Sequence, residues 1–164
     1  MNAAVRWPDR LVVRPWTPDD ARRVAAWRYD GPWAVYDPAG NEPLDAADGY
    51  RAVVGAADDL LVGFYCTGAQ ARVPGLTAAP GVIDLGAGMD PAWVGRGHGA
   101  SFGRAVLADV RRDHSTARMR AVVQHWNTRS RRLLRTLGFL ESGRHICVQG
   151  ERSVEYVVVL LPPA

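Results

Sequence analysis

The chain has 164 residues and a formal net charge of +3, and all 20 of its basic residues are arginine. The absence of lysine excludes a P-loop with its GK[ST], a kinase with its strand lysine, and Schiff-base or pyridoxal chemistry. A nucleic-acid stripe needs far more positive charge than this.

At this length one domain spanning residues 1–164 is expected, large enough to bury a full core without staples. The 48% apolar content fits a globule rather than a disordered chain. Cys66 and Cys147 lack metal-type spacing, as do His98, His114, His125 and His145, so no metal site is expected. The opening MNAAVRWPDR lacks an apolar signal core, and no apolar run reaches about 18 residues. These features predict a cytoplasmic protein without membrane contact.

Leu11–Val13 reads as a first strand. Thr17 can cap the helix that follows, Pro18 suits its first position, and Asp19 and Asp20 favour its N-terminus. This helix is expected to run to about Arg28. Trp27–Asp37 is dense in aromatics and broken at Gly31-Pro32, and Asp45–Gly49 suggests a short second helix. Tyr50–Val54 and Leu60–Thr67 read as a hairpin, and residues 68–81 as a Gly/Pro-rich loop.

Val82–Met89 reads as a strand with one face almost bare, carrying Asp84, Gly86 and Gly88 beside Val82. Such a face marks close approach by a ligand or another backbone. Asp90-Pro91 ends it. The loop Val94-Gly95-Arg96-Gly97-His98-Gly99 then opens a helix with Phe102, Val106 and Val110 on one side. Arg118–Trp126 is a strand. Asn127 or Thr128 caps a helix ending at Gly138, and Leu140–Val148 and Arg152–Leu160 form a last hairpin. The order is βααβββαβαββ. Arginines 131, 132 and 135 point largely away from the apolar face of the 127–138 helix, which suits either a solvated surface or a phosphate contact.

The strand–glycine loop–helix unit carries the chemistry. A helix start leaves backbone amides unpaired, its dipole favours an anion, and glycines let that anion approach the backbone. Residues 94–101 therefore read as a phosphate or pyrophosphate site. The G-x-G-x-G spacing is not the dinucleotide-binding fingerprint.

Three segments resemble the GNAT superfamily of acyl-CoA N-acyltransferases. IDLGAGMDP (83–91) resembles the family's central strand and turn. VGRGHGASF (94–102) resembles its pyrophosphate loop, with Gly97 and Gly99 fitting Gln/Arg-x-x-Gly-x-Gly/Ala and Val94 standing at the Gln/Arg. NTRSRRLLRTLGF (127–139) resembles its N-x-x-A-x-x-x-Y-x-x-x-G-F helix. The resemblance implies an α/β (α+β) fold with a mixed, mostly antiparallel sheet of about seven strands flanked by helices and split beside the central strand. It implies acetyl-CoA as acyl donor, with pantetheine along Ala87, Gly88 and Met89. The pyrophosphate would lie on the loop of Val94, Arg96, Gly97, His98, Gly99, Ala100 and Ser101. Asn127 stands at the family's CoA-contacting Asn, one turn before Ser130; Asn127 also suits a plain helix cap.

The resemblance further implies direct attack on the thioester by a primary amine of a small molecule or a peptide or protein N-terminus. Neutralising an α-amine of pKa ~7.7–8.0 at pH 7 costs about 1–1.4 kcal/mol, and a lysine-type amine of ~10.4 about 4.6 kcal/mol. Asp84 stands where several relatives carry an acidic residue and is the candidate base; the alternative is a carboxylate that only holds the sheet. The family's usual acid, a helix tyrosine, is replaced by Leu134. The resemblance places the acceptor near the connection between the first two helices and the last hairpin; Trp27, Tyr29, Trp33 and Tyr36 crowd that connection and could line an acceptor pocket or be ordinary core. The protein is expected to be a monomer or homodimer. A non-catalytic CoA-binding or regulatory module is the rival reading, supported by Leu134.

Overall fold

The computed structural model describes residues 4–38 and 44–164. Seven strands form one mixed sheet: β1 (Leu11–Pro15), β2 (Arg51–Gly55), β3 (Leu61–Thr67), β4 (Val82–Met89), β5 (Arg118–Gln124), β6 (Leu140–Gln149) and β7 (Arg152–Leu161). Their spatial order is β1-β2-β3-β4-β5-β7-β6. β4 and β5 pair in parallel, whereas β1–β2, β2–β3, β5–β7 and β6–β7 are antiparallel. The α-helices are α1 (Pro18–Ala25), α2 (Gly99–Asp113) and α3 (Thr128–Thr136).

The chain divides into two compact units, Met1–Tyr65 with Gly88–Val106, and Cys66–Ala87 with Leu107–Ala164. In the first unit α1 begins with a reciprocal cap. The Asp20 amide donates to the Thr17 hydroxyl at 3.2 Å, and the Thr17 amide donates to the Asp20 carboxylate at 2.9 Å. Arg14 grips the same carboxylate with two bonds of 2.7 and 2.9 Å. The helix stops at Ala25, short of the expected Arg28. The Trp27 amide still reaches back to the Val24 carbonyl, and Trp27 itself turns into the core.

That core joins Trp16, Ala21, Val24, Trp27, Ala52, Val54 and Leu61. Phe64 packs against it, with ring centroids 5.9 Å from Trp16, 6.0 Å from Trp27 and 5.8 Å from Tyr50. Two segments differ from the sequence reading. Gly31–Tyr36 is a 3-10 helix, and the expected second helix is a single 3-10 turn, Ala46–Asp48. Three residues bounded by an Asp cap and a left-handed Gly49 are too few to nucleate an α-helix.

In the second unit β5 and β7 alternate as a half-covered sheet requires. Met119, Ala121 and Val123 are buried, as are their facing neighbours Val157 and Val159. α3 is capped by Asn127, the first of the two expected candidates. Gly138 takes a φ of +101° just after the helix, the left-handed end the sequence suggested.

Candidate functional site

In the first unit β4 ends in a capped turn. Asp90 donates its amide to the Val62 carbonyl at 2.8 Å, and its carboxylate accepts from the Ala92 amide at 2.9 Å. A 3-10 turn, Pro91–Trp93, leads to the glycine loop, where Gly95 and Gly97 have φ of +76° and +85°. The first backbone bond of α2 is Phe102 N–H to the His98 carbonyl at 3.0 Å. The amides of Gly99, Ala100 and Ser101 therefore precede the helical ladder.

No acidic side chain stands in that first turn. Arg96 is exposed, and a Cβ built on Gly97 meets no atom within 4 Å. The arrangement offers bare amides, a positive helix end and open room, which fits a pyrophosphate.

The His98 ring does not face outward alone. It stacks on Trp7 with centroids 4.3 Å apart and planes 8° apart, and meets Trp93 edge-on at 5.6 Å and 82°.

Beside the loop, the Tyr29 hydroxyl donates to the Met89 carbonyl at 2.7 Å, and the Tyr29 amide donates to the Asp37 carboxylate at 2.7 Å. Burial raises the Tyr29 phenol well above its ordinary value, and the Asp90 and Asp37 charges add to the effect. Of the four aromatics expected at the acceptor, Trp27 is core, Tyr29 is tied to β4, Trp33 is half-buried and Tyr36 is exposed.

The glycine face of β4 is not left open. A Cβ on Gly88 would lie 2.7 Å from the Phe64 ring, within the first unit. In the second unit a Cβ on Gly86 would meet Cys66 Sγ at 3.3 Å and Ala71 at 3.5 Å. Side chains therefore make the close approach that the sequence left to a ligand or a backbone. Ala87, on the other face, is exposed.

Asp84 is 3% exposed and both its oxygens are occupied. Arg120 reaches Oδ1 through Nε at 2.6 Å and Oδ2 through Nη2 at 3.1 Å, while Arg72 Nη1 reaches Oδ2 at 3.0 Å. Arg120 also donates to the Thr77 carbonyl at 2.7 Å. Asp84 and Arg120 form the last of three register pairs between β4 and β5, after Val82–Arg118 and Ile83–Met119. β5 continues along β7 as far as Gln124, opposite Tyr156.

Asn127 is buried, and its side chain accepts from the Ser130 amide at 3.2 Å. Ser130 and Leu134 are half-buried. Arg131 is held by Glu141 at 2.8 Å and by the His125 carbonyl at 2.9 Å, while Arg129, Arg132 and Arg135 are exposed. The hydrogen bond from Arg131 holds the Glu141 carboxyl below the ordinary value against a smaller opposing desolvation. Among the described residues no group of three or more His, Cys, Asp or Glu could hold a metal ion, and no helix is long and apolar enough to cross a membrane.

The sequence reading missed Trp7, Arg72 and Arg120. Arg120 carried a faint signal, since parallel strands in this register set it beside Asp84. Trp7 carried none, because its partner His98 lies far away along the chain, and Arg72 carried none, because it sits in the loop before β4 where no strand register aims it at Asp84.

A family model for the acetyltransferase (GNAT) domain matches residues 10–140. The chain belongs to the GNAT acetyltransferase family. It is thus an acyl-CoA-dependent N-acetyltransferase by family, and its sheet is the GNAT sheet. No curated protein matches it by sequence.

Among solved structures, a GNAT-family acetyltransferase from Bacillus anthracis is similar, with TM-score 0.71 and 18% identity over 95% of this chain and 96% of that one. A protein of Salmonella typhimurium described as an acetyltransferase, solved with its cofactor acetyl-CoA, has TM-score 0.61 and 17% identity over 95% of each chain. A spermidine N-acetyltransferase chimera of Vibrio cholerae SpeG and hSSAT has TM-score 0.66 and 11% identity, over 94% of this chain and 96% of that one. At these identities the likeness is one of fold.

Proposed function

We propose that this GNAT acetyltransferase transfers the acetyl group of acetyl-CoA to a primary amine of a small molecule or a peptide or protein N-terminus by direct attack. The observation that carries the reading is the glycine loop, which presents the Gly99–Ser101 amides at the start of α2 with open space before Gly97. The roles are assigned residue by residue. Val94, Arg96, Gly97, Gly99, Ala100 and Ser101 hold the pyrophosphate, and His98 shapes that loop. Ala87, Gly88 and Met89 offer β4 backbone to the pantetheine. Asn127 and Ser130 contact the cofactor from the start of α3. Coenzyme A supplies the activated thioester.

Asp84 is read as a positioning residue rather than a base. Its oxygens already accept from two guanidinium groups, so the lone pairs a base would offer to an ammonium are committed. Attack then relies on the neutral fraction of the bound amine and on its orientation. The small cost for an α-amine favours acceptors of low pKa over lysine-type amines. Trp27, Tyr29, Trp33 and Tyr36 are assigned to the acceptor side, with Trp33 half-buried and Tyr36 exposed, where an aromatic face can hold a cationic substrate.

A solved neighbour is a spermidine N-acetyltransferase, which puts polyamines in the test panel. The experiment is thiol release from acetyl-CoA over peptides with free N-termini, polyamines and aminoglycosides. Turnover on any of them supports the reading. Binding of acetyl-CoA without turnover on all of them favours the rival, a CoA-binding regulatory module, which Leu134 at the usual tyrosine position supports.

A further inference from the structure

We propose that Trp7 is a positioning residue for the phosphate loop. It acts through His98, setting how tightly the loop takes coenzyme A. The inference rests on the reading of residues 94–101 as the pyrophosphate site.

The loop is poorly anchored by its own chemistry. Across Gly95-Arg96-Gly97-His98-Gly99 there are two side chains beyond glycine, and Arg96 is exposed. Its three glycines make the segment costlier in backbone entropy to order than other residues in their place would. His98 is the side chain through which the loop can be held. Its carbonyl accepts the first backbone bond of α2, so fixing its ring also fixes the residue from which the Gly99–Ser101 amides project.

Two indoles grip that ring. Trp7 lies parallel to it at 4.3 Å, Trp93 lies edge-on at 5.6 Å, and the two indoles meet each other at 5.4 Å and 75°. These are the offset-stacked and edge-to-face arrangements that aromatic quadrupoles favour.

Both indoles are themselves fixed. Trp93 is 8% exposed and sits in the turn that Asp90 ties to Val62. Trp7 stands in a strap laid over the β2–β3 turn. The Ala56 amide donates to the Arg10 carbonyl at 2.9 Å, and a Cβ on Gly55 would lie 2.2 Å from Asp58 Oδ1 and 2.9 Å from the Pro8 ring. The strap thus carries rigidity from the sheet edge to the loop, and pre-organisation of this kind appears as ligand affinity.

Trp7 itself precedes residues 10–140, which the family model matches.

The test is calorimetric titration of the full chain with coenzyme A, comparing wild type, Trp7→Ala, Trp7→Leu and Trp7→Phe, with thermal midpoints measured in parallel. Losing the stack weakens binding about five- to tenfold in Trp7→Ala and Trp7→Leu, while Trp7→Phe stays within about twofold of wild type. Trp7→Leu keeps the apolar bulk, so it decides the matter should Trp7→Ala fail to fold. Saturating turnover stays unchanged while KM for acetyl-CoA rises, a split that general destabilisation would not give. Wild-type affinity in Trp7→Leu, or equal weakening in Trp7→Phe and Trp7→Leu, overturns the proposal. A wild-type chain that binds no coenzyme A overturns the pyrophosphate reading itself, and the proposal with it.

Discussion

The Asp84 carboxylate lies 2.6 Å from Nε of Arg120, at the last register pair of the parallel β4–β5 ladder. Arg72 closes on the same carboxylate from the β3–β4 connection. Three charges in this arrangement pin β4 to β5 where their pairing ends. Asp84→Asn keeps the shape but leaves two guanidinium groups facing a neutral amide. Breaking a buried pair costs about 3–5 kcal/mol, and the partly exposed arginines place this case near the lower end. Thermal melts should show a loss of several degrees. The pH–rate profile of acetyl transfer should keep its shape. A vanished ionisation limb with an unchanged melting point would make Asp84 the base instead.

Glycines 63 and 88 are places where side chains and backbone need room. A Cβ on Gly63 would stand 2.6 Å from the Gly88 carbonyl oxygen and 2.4 Å from the Phe102 ring. Gly63→Ala therefore pushes on backbone, and over-packing of this kind costs about 1–3 kcal/mol. Urea denaturation should show that loss with an unchanged m-value.

The Arg14–Asp20 pair predicts a pH dependence. Burial pushes the Asp20 carboxyl up, but hydrogen bonds from Arg14 and Thr17 outweigh it and leave the group below its ordinary value. A carboxyl depressed on folding contributes stability that is complete above the unfolded value of ~3.9 and is lost as pH falls through the lower folded value. Asp20→Asn should thus be clearly less stable than wild type at neutral pH, by about 2–3 kcal/mol through the lost pair and weakened cap. The gap should narrow below pH ~4. A gap of constant size in acid would contradict the pairing.

Much of the sheet could be read from local pattern. Short apolar runs set its strands, Thr17 with Pro18 marked the start of α1, and Gly138 marked the end of α3. The glycine loop was legible for the same reason, because loop and helix start are neighbours in sequence. What escaped was decided at a distance. The bare face of β4 reads as close approach by a ligand or another backbone until Phe64 and Cys66 are found against it. Trp27 reads equally as an acceptor contact or as ordinary core, and only tertiary packing places it in the core. The Trp7–His98 stack joins residues whose separation in sequence no periodicity can bridge.

Gly97 offers the sharpest test of acetyl-CoA at the loop. Its φ of +85° strains any side chain, while the space before its Cβ is open. Gly97→Ala therefore separates strain from charge, and Gly97→Glu adds a carboxylate where the pyrophosphate is to lie. In calorimetric titrations with acetyl-CoA, wild type should bind, Gly97→Ala should bind somewhat more weakly, and Gly97→Glu should show no binding. No heat from wild type up to millimolar acetyl-CoA, or wild-type affinity in Gly97→Glu, would contradict the account.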